Sequence, residues 1–165
     1  MSTVTQTEKI INSHSALSFG VGLMPFPVLD TVALTGLQLN MLRRLSSKYE
    51  LSWSDDLGKK LIGTLIATVA PIGTSMAFRS IVKGIPLIGP VLGYVTFPVF
   101  AAASTRALGQ IFDKHFQSGG DLINFNPKKY FDEFVAAFKR EKAIEEAAVP
   151  AAAAAAPASD SKPKK

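Results

Sequence analysis

Two histidines, His14 and His115, are the chain's only imidazoles, and there is no cysteine. So widely separated in sequence, they make no metal-ligand spacing and read as ordinary polar or surface residues. The lack of cysteine excludes disulfides, thiolate zinc sites, iron–sulfur clusters and a cysteine nucleophile. Ser118, His115 and Asp121 include the residue types of a hydrolytic triad. Crowded at one expected helix end, however, their spacing does not set a nucleophile, a base and an orienting acid at separate stations. Phosphoryl chemistry has no better footing, because Gly58-Lys59-Lys60 lacks both the upstream glycine and the hydroxyl of a phosphate-binding loop. The residues favour a non-enzymatic protein with no cofactor.

A few polar residues stand out against apolar surroundings. Asp30 lies among Val28, Leu29, Val32 and Ala33, where an unpaired carboxylate is costly to desolvate. It either caps the start of a helix or pairs with Arg106 or Lys83 and sets helix register. Gln38 either joins two helices by a hydrogen bond or faces water. Arg106 closes an apolar run, the usual place of a headgroup anchor.

The elements that must carry these residues are helical. A helix of mixed polarity is expected over 6–22, with Ile10, Leu17 and Val21 near one face. After a Met24-Pro25-Phe26-Pro27 turn, a second helix starts at Pro27 and runs to about Tyr49. Ser52 or Ser54 caps a third, with Asp55 and Asp56 in the first turn where the macrodipole favours acid. From Leu61 to Thr105 the only charges are Arg79 and Lys83. A bilayer core about 30 Å thick takes roughly 20 helical residues to cross, so Leu61–Phe78 is marginal and Gly84–Thr105 sufficient. Both runs are rich in glycine and proline, which membrane helices tolerate better than soluble ones. The pattern predicts an apolar hairpin over 61–105, with a broken or re-entrant stretch at 84–93 and a helix from Phe100 to Phe116 that ends at Gly119-Gly120.

Asn126-Pro127 opens the last expected helix, 127–147, along which Phe131, Phe134, Val135 and Phe138 form an apolar edge opposite Lys128, Lys129, Asp132, Glu133, Lys139 and Arg140. Such a helix lies on a bilayer surface or on the hairpin's flank. From 148 to 165 the composition falls to Ala, Pro, Ser, Asp and Lys, and a disordered tail is expected. The 165 residues thus suit one domain, 6–147, plus a tail. The net charge of +5 comes in short basic pairs, Arg43-Arg44, Lys59-Lys60 and Lys128-Lys129, without the dense stripe and stacking aromatics of a nucleic-acid groove. Those pairs suit lipid headgroups. The first residues do not have the form of a cleavable signal peptide, so export is not expected.

Three patterns resemble the YcjF-like family, domain of unknown function 697: Leu23-Met-Pro-Phe-Pro-Val-Leu-Asp30 with Leu37-Gln-Leu-Asn-Met-Leu-Arg43; Lys83-Gly-Ile-Pro-Leu-Ile-Gly89; and Thr105-Arg-Ala-Leu-Gly109 leading to His115-Phe-Gln-Ser-Gly-Gly-Asp121. The resemblance covers roughly residues 10–135. It implies a bacterial membrane-associated helical domain found fused to, or encoded beside, Era-like GTPases, and it carries over no catalytic residues. With no phosphate-binding loop in this chain, any GTPase partner is a separate polypeptide. The expectation is an all-α domain, inserted in the cytoplasmic membrane by hairpin 61–105 with its termini in the cytoplasm. Its role is that of an anchor or regulator, with the lipid bilayer, a GTPase in trans and further copies of itself as partners and no nucleic acid. The alternative is a soluble or peripheral helical protein that self-assembles or binds lipid through its apolar face.

Overall fold

The computed structural model of the chain describes residues 3–23, 27–73 and 89–154, all of it helix and short connections. Five helices appear among the described residues: α1 Thr3–Gly22, α2 Pro27–Lys48, α3 Asp55–Gly73, α4 Gly89–Gln117 and α5 Pro127–Ala154. The link expected at Arg79–Lys83, the turn at Met24–Phe26 and the tail from 155 onward lie outside the described residues.

Local chemistry sets the helix ends. Ser54 caps α3, its Oγ accepting from Leu57 N at 3.4 Å, and Asn126 caps α5, its Oδ1 accepting from Lys128 N at 3.1 Å with Pro127 at the first helical position. At the end of α4, Gly119 takes φ of 83°, and Gly120 N donates to His115 O at 3.0 Å while Gly119 N donates to Phe116 O at 3.0 Å. That pair of bonds closes the orphan carbonyls through a left-handed residue, the reason for a glycine there. α2 ends the same way, but its left-handed residue is Glu50, φ 56°.

α4 is the central helix, packed chiefly between α1 and α5. Ile11 lies against Gly109 and Gly22 against Pro98, so α1 and α4 run antiparallel. At the second crossing a methyl group on Gly22 would stand 2.6 Å from Pro98 Cα, so only glycine allows this approach. Beneath these crossings, Met41, Leu42, Leu45, Leu65, Leu108 and Phe112 form the centre of the core, all fully buried.

Four expectations need correction. The first concerns the membrane: among the described residues no helix is long and apolar enough to cross a bilayer. Leu61, Ile62, Leu65 and Val69 of α3 are buried in the protein core, and α4 runs past Thr105 through Arg106, Asp113 and Lys114. These described apolar side chains are covered by protein, and 74–88 of the expected hairpin lies outside the described residues. Second, α4 is unbroken over 89–93, the described part of the stretch 84–93, and continues through Pro98, while 84–88 lies outside the described residues. Third, α5 extends to Ala154 instead of ending at 147, because alanine is the best helix former and carries the helix beyond its last core contact. Fourth, α1 buries Ile10, Ile11, His14, Ser15 and Ser18 and leaves Leu17 57% exposed, since α4 presents small and hydroxylic residues to it.

Candidate functional site

The small polar residues of α1 meet α4 in a buried seam. Ser15 Oγ donates to Ala102 O at 3.0 Å, and Ser18 Oγ lies 2.8 Å from both His14 O and Thr105 Oγ1. From α2, Gln38, 2% exposed, donates to Thr105 Oγ1 at 3.2 Å and Ser104 Oγ at 3.4 Å. His14 Nδ1 donates to Ile10 O at 2.7 Å, and its Nε2 meets Asn40 Oδ1 at 3.0 Å. These bonds satisfy the buried polar groups while letting three helices pack closely. A face through Ile10, Leu17 and Val21 does not include this seam; the spacing of Ser15 and Ser18 with Ile11 and Gly22 along one helix face is the sequence signal for it.

His115 belongs to a second, aromatic cluster. Its Nε2 donates to Asp121 O at 2.9 Å, so its Nδ1 accepts from Tyr130 Oη at 3.0 Å. Phe125 stacks on Tyr130 and on Phe112, and a side chain at Gly120 would collide with the imidazole. Ser118 Oγ donates to a backbone carbonyl, and the Asp121 carboxylate accepts from Ile123 N and Asn124 N, both at 2.9 Å. Ser118, His115 and Asp121 therefore make no proton relay, and each ties down the α4–α5 connection. Nearby, Tyr49 Oη donates to Asp113 Oδ1 at 2.7 Å, and burial together with that carboxylate raises the phenol above its usual 10.0. Among the described residues no three of His, Cys, Asp and Glu gather as metal ligands.

Arg106 joins a third cluster, between α4 and α5. Its Nη1 stands 3.6 Å from Glu141 Oε2, an electrostatic contact beyond hydrogen-bond length, and Arg106 Nε is buried without a partner. Arg140 donates through Nε and Nη2 to Glu141 Oε1, at 3.3 and 3.1 Å, and through Nη2 to Gln110 Oε1 at 2.6 Å. Gln110 Nε2 donates to Glu141 Oε1 at 2.9 Å. Glu141, 3% exposed, went unnoticed in the sequence, although an acid one turn beyond Ala137 and Phe138 falls on the apolar stripe. Asp30 sits in the first turn of α2 and its side chain lies outside the described residues, so the pairing with Arg106 or Lys83 does too. Of the phenylalanine edge, Phe134 and Phe138 are fully buried, Phe138 edge-on to Phe100, and Phe131 is half-buried against the core.

The uncharged stretches 10–22 of α1 and 89–105 of α4 lie together toward the end where α1 meets α2, since Gly22 packs on Pro98 and Ile11 on Gly109. Its described surface carries Ala16, Leu17, Leu23, Val32 and Ala33, with Val32 69% and Leu23 49% exposed; Asp30 stands at the same end in the first turn of α2, and past Glu141 α5 runs toward it with Lys142, Glu145 and Glu146. Below that end come basic residues: exposed Arg43 and Arg44 lie one turn beneath Asn40, Lys59 and Lys60 follow Gly58 where it packs on Leu39, and Arg106 directly follows Thr105, which Gln38 contacts, and shares Glu141 with Arg140. The opposite end carries Glu50, Asp55, Asp56, Asp113, Asp121 and Asp132 among Lys48, Lys114, Lys128 and Lys129.

The sequence profile of the family described as Domain of unknown function (DUF697) matches residues 3–140. Magnetosome membrane protein 22 of Magnetospirillum gryphiswaldense is 34% identical over 138 residues, which are 83% of this chain and 71% of that protein. No solved structure matches the chain. With a profile spanning most of its length and the helices to match, this chain belongs to the DUF697 family.

Proposed function

We propose that the protein is a non-enzymatic, membrane-associated anchor or regulator that enters one leaflet of the cytoplasmic membrane with the end where α1 meets α2. The exposed Leu17, Leu23 and Val32 there, beside the uncharged stretches of α1 and α4, carry this reading. The uncharged stretches rise about 20–25 Å at 1.5 Å per residue, enough to enter a leaflet and less than the roughly 30 Å needed to cross. Below them the basic residues stand at headgroup height, and the more acidic end is turned towards water, away from anionic lipid. A relative that is named as a magnetosome membrane protein supports membrane association. Flotation with phosphatidylcholine vesicles tests it: the full chain should rise with the vesicles, and recovery only in the dense fractions would remove the proposal.

The family resemblance adds a GTPase on a separate polypeptide as partner. Co-purification from detergent-solubilised membranes with a nucleotide-binding polypeptide is the expected result, while the chain itself should neither bind nor hydrolyse GTP. The alternative, self-assembly through the exposed Leu17, Leu23 and Val32, predicts a concentration-dependent oligomer in sedimentation without lipid.

A further inference from the structure

We propose that Arg106 and Arg140 bind a phosphate group, that of an anionic phospholipid headgroup, where the uncharged stretch of α4 ends. This rests on the membrane reading and adds a ligand chemistry and a site to it. One carboxylate, Glu141, serves two guanidinium groups, so the cluster keeps a surplus positive charge. Gln110 is neutral, and the adjacent acids do not cancel the surplus: Glu146 pairs with Lys142 at 2.8 Å, and Glu145 makes no ion pair with either arginine. The carboxylate side chain is 4% exposed, whereas the guanidinium side chains are 29% and 60% exposed. A buried acid thus holds two accessible forks from beneath.

The forks are only partly occupied. Arg140 spends Nε and Nη2 on Glu141 and Gln110, leaving Nη1, and Arg106 reaches Glu141 only at 3.6 Å. Arg140 Nη1 and the Nη groups of Arg106 remain as charged donors for phosphate oxygens, and anchoring by Glu141 and Gln110 lowers the entropy lost on binding. The position fits as well, since Arg106 directly follows Thr105, the last residue of α4's uncharged stretch.

The test uses the full chain in flotation with phosphatidylcholine vesicles, with and without phosphatidylglycerol, and compares the parent with Arg140→Lys and Lys139→Gln. Arg140 is mostly exposed, and unchanged thermal unfolding of Arg140→Lys shows that its fold is kept. Arg140→Lys retains charge and loses Nη1 together with the bonds to Glu141 and Gln110 that orient it, so it should forfeit most of the parent's preference for anionic vesicles, about fivefold or more; Lys139→Gln should lose less. Equal preference in the parent and Arg140→Lys overturns the phosphate site, and continued binding of both to phosphatidylcholine alone leaves the membrane reading standing. Failure of the parent to bind either vesicle overturns both. Inorganic phosphate, added at ionic strength fixed with chloride, separates the sources: no competition supports the lipid headgroup, and full competition overturns it in favour of free phosphate.

Discussion

At the scale of single residues, the polar side chains of this protein mostly hold helices in register. Glu141 is the clearest case, a buried acid that links α4 to α5 through Arg106, Arg140 and Gln110. Glu141→Leu should lower stability by about 1–3 kcal/mol in denaturant melts, because it leaves Gln110 and two arginines without their common acceptor, partly rescued by water at Arg140. Glu50 works against the fold, holding a left-handed φ of 56° without being glycine. Glu50→Gly should raise stability by about 1 kcal/mol, read as a higher denaturant midpoint. Tyr49 gives a pH signature. Its phenol is raised in the folded state, by burial first and by its bond to Asp113, so the native protein holds that proton more tightly than the unfolded chain. The contribution is whole below the ordinary phenol value of 10.0 and fades as pH climbs through the higher folded value. Tyr49→Phe should therefore flatten the alkaline decline in melting temperature.

Among the elements, legibility followed the locality of the signal. Ser54, Asn126-Pro127 and Gly119-Gly120 act on neighbouring backbone groups, so the sequence places those helix ends well. The buried face of α1 depends on what α4 brings opposite: the spacing of Ser15 and Ser18 with Ile11 and Gly22 marks a face, and the partners Ala102 and Thr105 make it interior. Arg106 illustrates the same divide: its place at the end of an apolar run is visible, its partner Glu141 across a helix interface is not. The phenylalanine edge of α5 is legible as periodicity, and the helices packed against it make it part of the core. Phe134→Asp places a carboxylate where the phenyl ring is fully buried. Loss of the ring alone costs about 3–5 kcal/mol, so the expected result is cooperative unfolding of the bundle. Proteolysis confined to α5, with α1 to α4 still protected, would contradict it.

Across the whole molecule, core and surface answer to different forces. Packing uses the largest apolar side chains of α3, α4 and α5 inside the bundle, and the membrane reading therefore turns on the uncharged surface they leave outside. Leu17 and Val32 are the informative positions, 57% and 69% exposed on adjoining helices near that end. Replacing both by aspartate removes little core packing, so the melting temperature without lipid should stay within a few degrees of the parent's. In the membrane reading, each side chain contributes to partitioning by leaving water, and a carboxylate in its place opposes entry into hydrocarbon. The double variant should float with phosphatidylcholine vesicles at least tenfold less than the parent, a difference of about 1.4 kcal/mol that is smaller than the burial of either side chain supplies. Equal flotation at equal stability would mean that this end does not meet the bilayer, and the uncharged surface would then be the place where a second copy binds.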